Sequence, residues 1–264
     1  MKREVVVAGA FLLHLSALTS RPRAEPPGGA PAPRVTTAIC RPEFDTTEGR
    51  LDAGTAFVVR PRPQDRSFVL VTAHHLFGPD GGLSAQVKWS DLPSVVSAAR
   101  CHQMTGPGRV LSAGPPLPVP NARIYSEEGP ASDVAVFPLK DDKTPALELG
   151  SGTPPLKETV WLAARVAGGE APDKLLHRAT LVSVNQQWIE FAYDNPKLDL
   201  TATSGAPIVD GDGRVVGINI GAKVVGKKLV GVAQSAAVVR GAIDRALAAA
   251  ARRGVATDSS SRHR

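Results

Sequence analysis

The sequence predicts an all-β fold closed by a single C-terminal helix. Three observations carry this. The chain holds 25 glycines and 23 prolines, a punctuation that suits short strands joined by turns better than helices. Short apolar and β-branched runs recur at close spacing with turn residues between them, the pattern of barrels or a sandwich. Helical periodicity appears once, at the end, where Val238, Val239, Ala242, Ile243, Ala246, Leu247 and Ala250 fall on one face. With 264 residues the chain can bury a sizeable core, as one large β domain or two small ones.

Taken in order, the N-terminus reads as a targeting segment. Lys2 and Arg3 precede a mostly apolar stretch over residues 5–18, which is too short to span a bilayer comfortably and matches the core of a signal peptide. Residues 1–24 are therefore expected to be a signal peptide, which places the mature protein in the periplasm or outside the cell and off the membrane once the signal is removed. Residues 25–35, rich in Pro and Gly, read as a disordered linker. A first strand is expected at residues 36–40, a second at 54–60 and a third at 67–72, nearly all apolar and so buried on both faces. Further strands are expected near 84–89, 94–102 and 109–112. The proline-rich run at 114–120 excludes a central strand and reads as a surface excursion. Ser132-Asp133 then leads into another apolar run ending at Leu139.

A second β-rich half begins near residue 145, with strands at 158–166, 176–184, 187–193, 207–210, 214–220 and 228–234. Asp210-Gly211-Asp212-Gly213 between Ile208-Val209 and Val215-Val216 is hairpin-turn chemistry, which accounts for the two aspartates without calcium. Ser235 is placed to cap the terminal helix, and Arg252-Arg253-Gly254 suits its end. The organisation predicted is a body at 36–142 and 143–236, a helix at 237–254 and a disordered tail at 255–264.

The basic excess does not point to nucleic acid. Of the net charge of +6, +3 lies in residues 1–24 and +3 in the tail from Arg252, which leaves the body near neutral. Cys40 and Cys101 are too few and too far apart for a zinc motif; in an oxidising compartment they can pair as a disulfide. No metal or other cofactor is expected, and the protein is expected to be a monomer.

Three polar residues, His75, Asp133 and Ser204, each stand at the rim of a buried strand. Nucleophilic catalysis by serine needs an imidazole to take the hydroxyl proton and a carboxylate to fix that imidazole. The turn around Ser204, flanked by Gly205 and Pro207, can present a hydroxyl beside backbone N–H donors.

The segments Val71-Thr72-Ala73-His74-His75, Ser132-Asp133-Val134-Ala135-Val136 and Thr203-Ser204-Gly205-Ala206-Pro207 resemble the three signatures of trypsin-like, chymotrypsin-fold serine proteases, with the nearer likeness to exported bacterial members of the Deg and V8 kind. Residues 54–59, 214–219 and 229–235 resemble the strands flanking those signatures. The resemblance covers residues 36–250 and implies two six-stranded antiparallel β-barrels with a C-terminal helix. It assigns His75 as base, Asp133 as its orienting acid, Ser204 as nucleophile, and the N–H groups of residues 202 and 204 as the oxyanion hole. His74 is the alternative base. The first substrate pocket is expected to include Leu198 at its floor, with Gly217, Ile218 and Asn219 as a wall, and to prefer a small or medium apolar side chain unless Asp199 redirects it to a basic one.

One position departs from the pattern. Ala202 stands where the family has glycine, at a place that often requires a backbone conformation unfriendly to a Cβ. Two functions follow: an exported endopeptidase acting on protein or peptide substrates, or a pseudoprotease that keeps the fold to bind a partner. An acyl hydrolase of other esters is a weaker third.

Overall fold

The computed structural model describes residues 34–65, 67–105, 108–124, 132–140 and 144–261, with side chains as far as residue 252. The expected signal peptide, the linker up to residue 33 and the last residues of the tail lie outside the described residues.

The chain forms two antiparallel β-barrels followed by one long helix. The first contains β1 (Ile39–Thr46), β2 (Gly49–Asp52), β3 (Ala56–Val59), β4 (Val69–Thr72), β5 (Val96–Gln103), β6 (Val110–Ala113) and β7 (Ala135–Pro138). Its six-strand path runs β6-β5-β1-β3-β4-β7, with β2 paired to β1. The two ends of the path approach each other through the bridges Ala113–Leu139 and Leu117–Val136. The second barrel is closed in the order β10-β13-β12-β11-β8-β9. Its strands are β8 (Thr159–Ala163), β9 (Leu176–Val184), β10 (Trp188–Tyr193), β11 (Pro207–Val209), β12 (Val215–Val225) and β13 (Lys228–Ser235). Four short helical elements are α1 (Arg34–Thr37), α2 (Leu92–Val95) and two 3-10 turns, at His74–Leu76 and Pro79–Gly81, and the terminal helix is α3 (Ala236–Ser261).

Alternation along the strands sorts the apolar residues into three clusters. Ala56, Val58, Leu70, Ala135 and Phe137 fill the first barrel, where Phe44, Phe77 and Phe137 pack with ring centroids 4.8–5.9 Å apart. Their neighbours Phe57, Val59, Val69, Val71, Val134 and Val136 point the other way, into a seam shared with Trp161, Val209, Val215 and Ile218 of the second barrel. Strands β3, β4 and β7 read as continuous apolar runs for this reason: each has a core on both faces. The apolar stripe of α3 (Val239, Ala242, Ile243, Ala246) closes the same seam. Ile189, Phe191, Leu181 and Ile208 fill the second barrel.

The hairpin after β11 forms as expected. Asp210 Oδ1 accepts the backbone N–H groups of Asp212 at 3.0 Å and Arg214 at 2.8 Å, and Gly213 takes a positive φ of 76°. Ser235 Oγ accepts the N–H of Val238 at 3.4 Å while donating to the Gln186 carbonyl at 2.6 Å, so it caps α3 and ties it to the β9–β10 turn. Cys40 on β1 and Cys101 on β5 form a disulfide inside the first barrel.

Four expectations need correction, and one hairpin was not expected. Residues 36 and 37 belong to α1, closed by Ala38 N–H on the Val35 carbonyl, and β1 begins only at Ile39. The hairpin β1–β2 gave little periodic signal; its turn is held by the Thr46 hydroxyl donating to the Gly49 carbonyl. Residues 84–89 are loop, because Val87 and Gln86 bond to the Phe77 carbonyl across a turn rather than along a ladder. The proline-rich run is no surface excursion. Gly114, Pro116, Pro118 and Val119 are buried, and Gly114 and Leu117 donate to the carbonyls of Pro138 and Val136, so the segment helps to close the first barrel. Proline is tolerated there because the run lies at the end of the sheet path, where bonds are few. Finally, α3 does not stop at Gly254 but continues to Ser261.

Candidate active site

His75 and Asp133 meet because their strands do. In the antiparallel pair β4–β7, Thr72 stands opposite Ala135. His75 follows Thr72 by three residues and Asp133 precedes Ala135 by two, so both leave the sheet at the same end. The carboxylate engages the histidine twice: Oδ2 bonds the ring Nδ1 at 2.8 Å, and Oδ1 accepts the backbone N–H at 2.8 Å. Asp133 is 1% exposed and His75 6%. Burial disfavours the charged ring, but the hydrogen bond and charge of Asp133, with Asp80 adding, outweigh it and raise the His75 pKa.

His74 does not compete for Asp133. Its Nε2 lies 3.1 Å from the Val87 carbonyl, and burial lowers its pKa against the opposing pull of Asp133 and that carbonyl. The adjacent histidines thus separate, one toward the aspartate and one into the loop that follows.

Ser204 comes from the second barrel, on the loop ahead of β11. Gly205 seats it against the first. A Cβ on Gly205 would stand 2.3 Å from the Thr55 carbonyl oxygen, 2.4 Å from the Thr72 hydroxyl and 3.0 Å from Ala73 N, and its φ is +83°. Only glycine fits there. The Ser204 carbonyl accepts the N–H of Thr55 at 2.8 Å. The serine therefore sits beside the strand end that carries His75. Among the described residues no hydrogen bond joins Ser204 Oγ to His75 in this structure.

The loop from Leu200 to Ala206 uses its backbone groups unevenly. Thr203 N–H donates to the Leu200 carbonyl at 3.1 Å, and Gly205 N–H to the Asn219 carbonyl at 2.8 Å. The carbonyls of Ala202 and Thr203 accept from Arg41 and Asn219 side chains. Among the described residues the N–H groups of Ala202 and Ser204 have no acceptor. Ala202 has φ +62° at the third position of the turn closed by the Thr203 bond, while Thr201 keeps a negative φ. That is a type II turn, whose third residue is ordinarily glycine.

The residues expected to form a substrate pocket fall in four places. Ile218 is fully buried in the seam. Asn219 is 1% exposed, with its Nδ2 donating to the carbonyl and hydroxyl of Thr203 at 3.2 and 3.1 Å. It props the Ser204 loop from below rather than facing outward. Gly217 packs against the Gln234 carbonyl and Ile189. Leu198 lies in the second barrel's core with Tyr193, whose phenol pKa burial pushes upward. The Asp199 carboxylate accepts from the N–H and hydroxyl of Thr201, bonds that lower its pKa and hold it on the loop. Among the described residues no cluster of His, Cys, Asp or Glu could hold a metal ion.

Sequence reasoning missed three residues that brace the site. Arg41, Thr55 and Gln234 lie 161, 147 and 101 residues from their partners, and only the meeting of the barrels reveals them. Gln234 Oε1 accepts the N–H of Asp133 at 2.8 Å.

Two barrels, a buried His–Asp pair from one and a serine loop from the other define a serine-protease architecture. A family model described as the trypsin-like peptidase domain matches residues 54–218, and the chain belongs to that family. Among solved structures it resembles the active form of the Rv3671c protease from M. tuberculosis, with 16% identity, 86% of this chain and 93% of that chain covered, and a TM-score of 0.52. It also resembles a thermostable serine protease, AL20, from an extremophilic microorganism (14% identity, 81% and 99% covered, TM-score 0.51). A serine endoprotease from Yersinia pestis matches at 13% identity, with 80% of this chain and 63% of that chain covered and a TM-score of 0.52. No curated protein sequence matches the chain.

Proposed function

We propose that the chain is an exported serine endopeptidase, acting as a monomer in the periplasm or outside the cell, that cleaves peptide bonds through an acyl-enzyme on Ser204. The observation that carries this reading is the two-point grip of Asp133 on His75. With Nδ1–H fixed on the carboxylate, Nε2 is left as the basic nitrogen. It takes the Ser204 proton as Oγ attacks the substrate carbonyl, and returns it to the leaving amine as the peptide bond breaks. Water, deprotonated by the same nitrogen, then attacks the acyl carbonyl; the bond to Oγ breaks, the nitrogen returns the proton to Ser204 Oγ, and the carboxylic acid product leaves. The N–H groups of Ala202 and Ser204, which have no acceptor among the described residues, are the donors for the tetrahedral oxyanion. The Cys40–Cys101 disulfide is consistent with an oxidising destination.

The test is labelling by a fluorophosphonate probe. The wild type should react and Ser204→Ala should not; absence of labelling in the wild type would sink the catalytic reading. One observation favours the second reading, a pseudoprotease that binds partners: Ala202 bears a Cβ at φ +62°, where the donor is strained. On that reading labelling appears only in Ala202→Gly.

A further inference from the structure

We propose that Arg41, on the first barrel, is a positioning residue for the oxyanion loop of the second. The inference rests on the proteolytic reading above and goes beyond the triad.

The geometry is specific. Arg41 Nη1 donates to the Ala202 carbonyl at 2.8 Å and to the Gly54 carbonyl at 2.9 Å. The Thr55 hydroxyl donates to the same Ala202 carbonyl at 3.0 Å, and Thr55 N–H holds the Ser204 carbonyl at 2.8 Å. On its other side the Ala202–Thr203 peptide is fixed by Thr203 N–H on the Leu200 carbonyl. That peptide is therefore anchored at both its polar ends. It flanks the two N–H groups that have no acceptor among the described residues.

Arg41 is half-buried and has no carboxylate partner among the described residues. Its charge is spent on two backbone carbonyls. Burial and the nearby Arg165 both act to lower its pKa, yet a guanidinium remains charged. A half-buried cation without a counter-ion is an expensive way to satisfy two carbonyls. Its placement is explained by the loop it holds. Ala202 occupies a conformation that a Cβ disfavours, so the Leu200–Thr203 turn carries a local cost that the bonds to it must offset. Charge-assisted bonds to the Ala202 carbonyl fix the frame from which the Ala202 N–H projects, and they place a positive charge behind the peptide facing the developing oxyanion.

The experiment is a double-substitution cycle with Arg41→Met, Arg41→Lys and Ala202→Gly, read by peptide hydrolysis and the rate of fluorophosphonate labelling. Arg41→Met should lower kcat about 10- to 100-fold with KM changed less than about threefold, and Arg41→Lys should recover part of the loss. In the Ala202→Gly background the same change should cost less, because glycine needs no bracket to hold a positive φ. An unchanged kcat in Arg41→Met, or an equal loss in both backgrounds, would overturn the proposal. A crystal structure of Arg41→Met judges it without turnover: a displaced Ala202 carbonyl or a lost positive φ supports the bracket, and an unmoved loop refutes it. A wild type that is never labelled would refute the proteolytic reading instead, and the crystal structure would still decide whether Arg41 holds the loop.

Discussion

Gln234 of the second barrel accepts the backbone N–H of Asp133 of the first at 2.8 Å, with both residues almost fully buried. The acid that orients the histidine is thus itself oriented from across the seam. Replacing Gln234 by Leu leaves a buried N–H without that acceptor, a loss of about 1–3 kcal/mol. The expected outcome is a lower thermal midpoint together with a roughly tenfold lower kcat. Thermal unfolding and steady-state hydrolysis measure the two; a Gln234→Leu protein with full stability and full kcat would show that the bond does not matter.

The His75–Asp133 pair sets the pH dependence. Asp133 raises the His75 pKa against the effect of burial, and hydrolysis needs the neutral ring, so activity should rise with pH through a value above the ordinary 6.5. Asp133→Asn removes the raising influence and leaves burial, so the acid limb should move to lower pH. It should also lower kcat on the order of 10⁴-fold through loss of the correct tautomer. The stability effect has the opposite sense to activity. Because the folded pKa is raised, the pair's contribution is complete below about 6.5 and is lost as pH rises through the folded value. In denaturant titrations across pH 5–9 the stability gap between wild type and Asp133→Asn should narrow toward the alkaline end. A larger stability gap at pH 9 than at pH 5 would contradict this sign.

Much of this arrangement is legible in the sequence because it is local. The apolar runs of β3, β4 and β7, the turn chemistry at Asp210–Gly213 and the helical stripe of α3 each state their structure within a dozen residues. His75, Asp133 and Ser204 are legible for another reason: each sits in a short motif at a strand end. What is hidden depends on which strands face each other. Asn219 reads as a pocket-wall residue, and its sequence neighbours do not announce that its amide turns to Thr203. Pro116 and Pro118 read as surface, yet the curled sheet leaves a gap between β6 and β7 that they help to fill. Arg41 lies just past the strand expected at residues 36–40, and nothing in its neighbours announces a carbonyl on the other barrel.

The disulfide should matter to stability rather than chemistry. Cys40 and Cys101 are fully buried and 61 residues apart, so the bond restricts a long loop of the unfolded chain. The chain-entropy argument gives about 4 kcal/mol for a loop of that size, with about 2–4 typical of measured cases. Cys40→Ala/Cys101→Ala should therefore unfold at markedly lower denaturant, with labelling of Ser204 retained under native conditions. In the wild type, reductant without denaturant should release little thiol, because both sulfurs are covered. Rapid release of two thiols from the folded protein would show instead that the first barrel opens readily.

Ala202→Gly separates strain from catalysis. At φ +62° the alanine Cβ carries a penalty of about 1 kcal/mol or more that glycine does not, while the N–H donor is common to both. Glycine also gives the unfolded chain more freedom, which offsets part of the gain by about 0.5–1 kcal/mol. The net stability change should therefore be small, under about 1 kcal/mol. The catalytic change should not be small if the strained donor is imperfectly aimed, since a lost oxyanion donor is worth about 10²–10³ in rate. A large rise in kcat with little change in unfolding midpoint means that alanine holds the wild-type enzyme below its capacity. An unchanged kcat means that the bonds from Arg41 and Thr55 to the Ala202 carbonyl already keep the donor in place. Measuring both quantities on one variant distinguishes the two, because backbone strain acts on the midpoint and donor alignment on the rate.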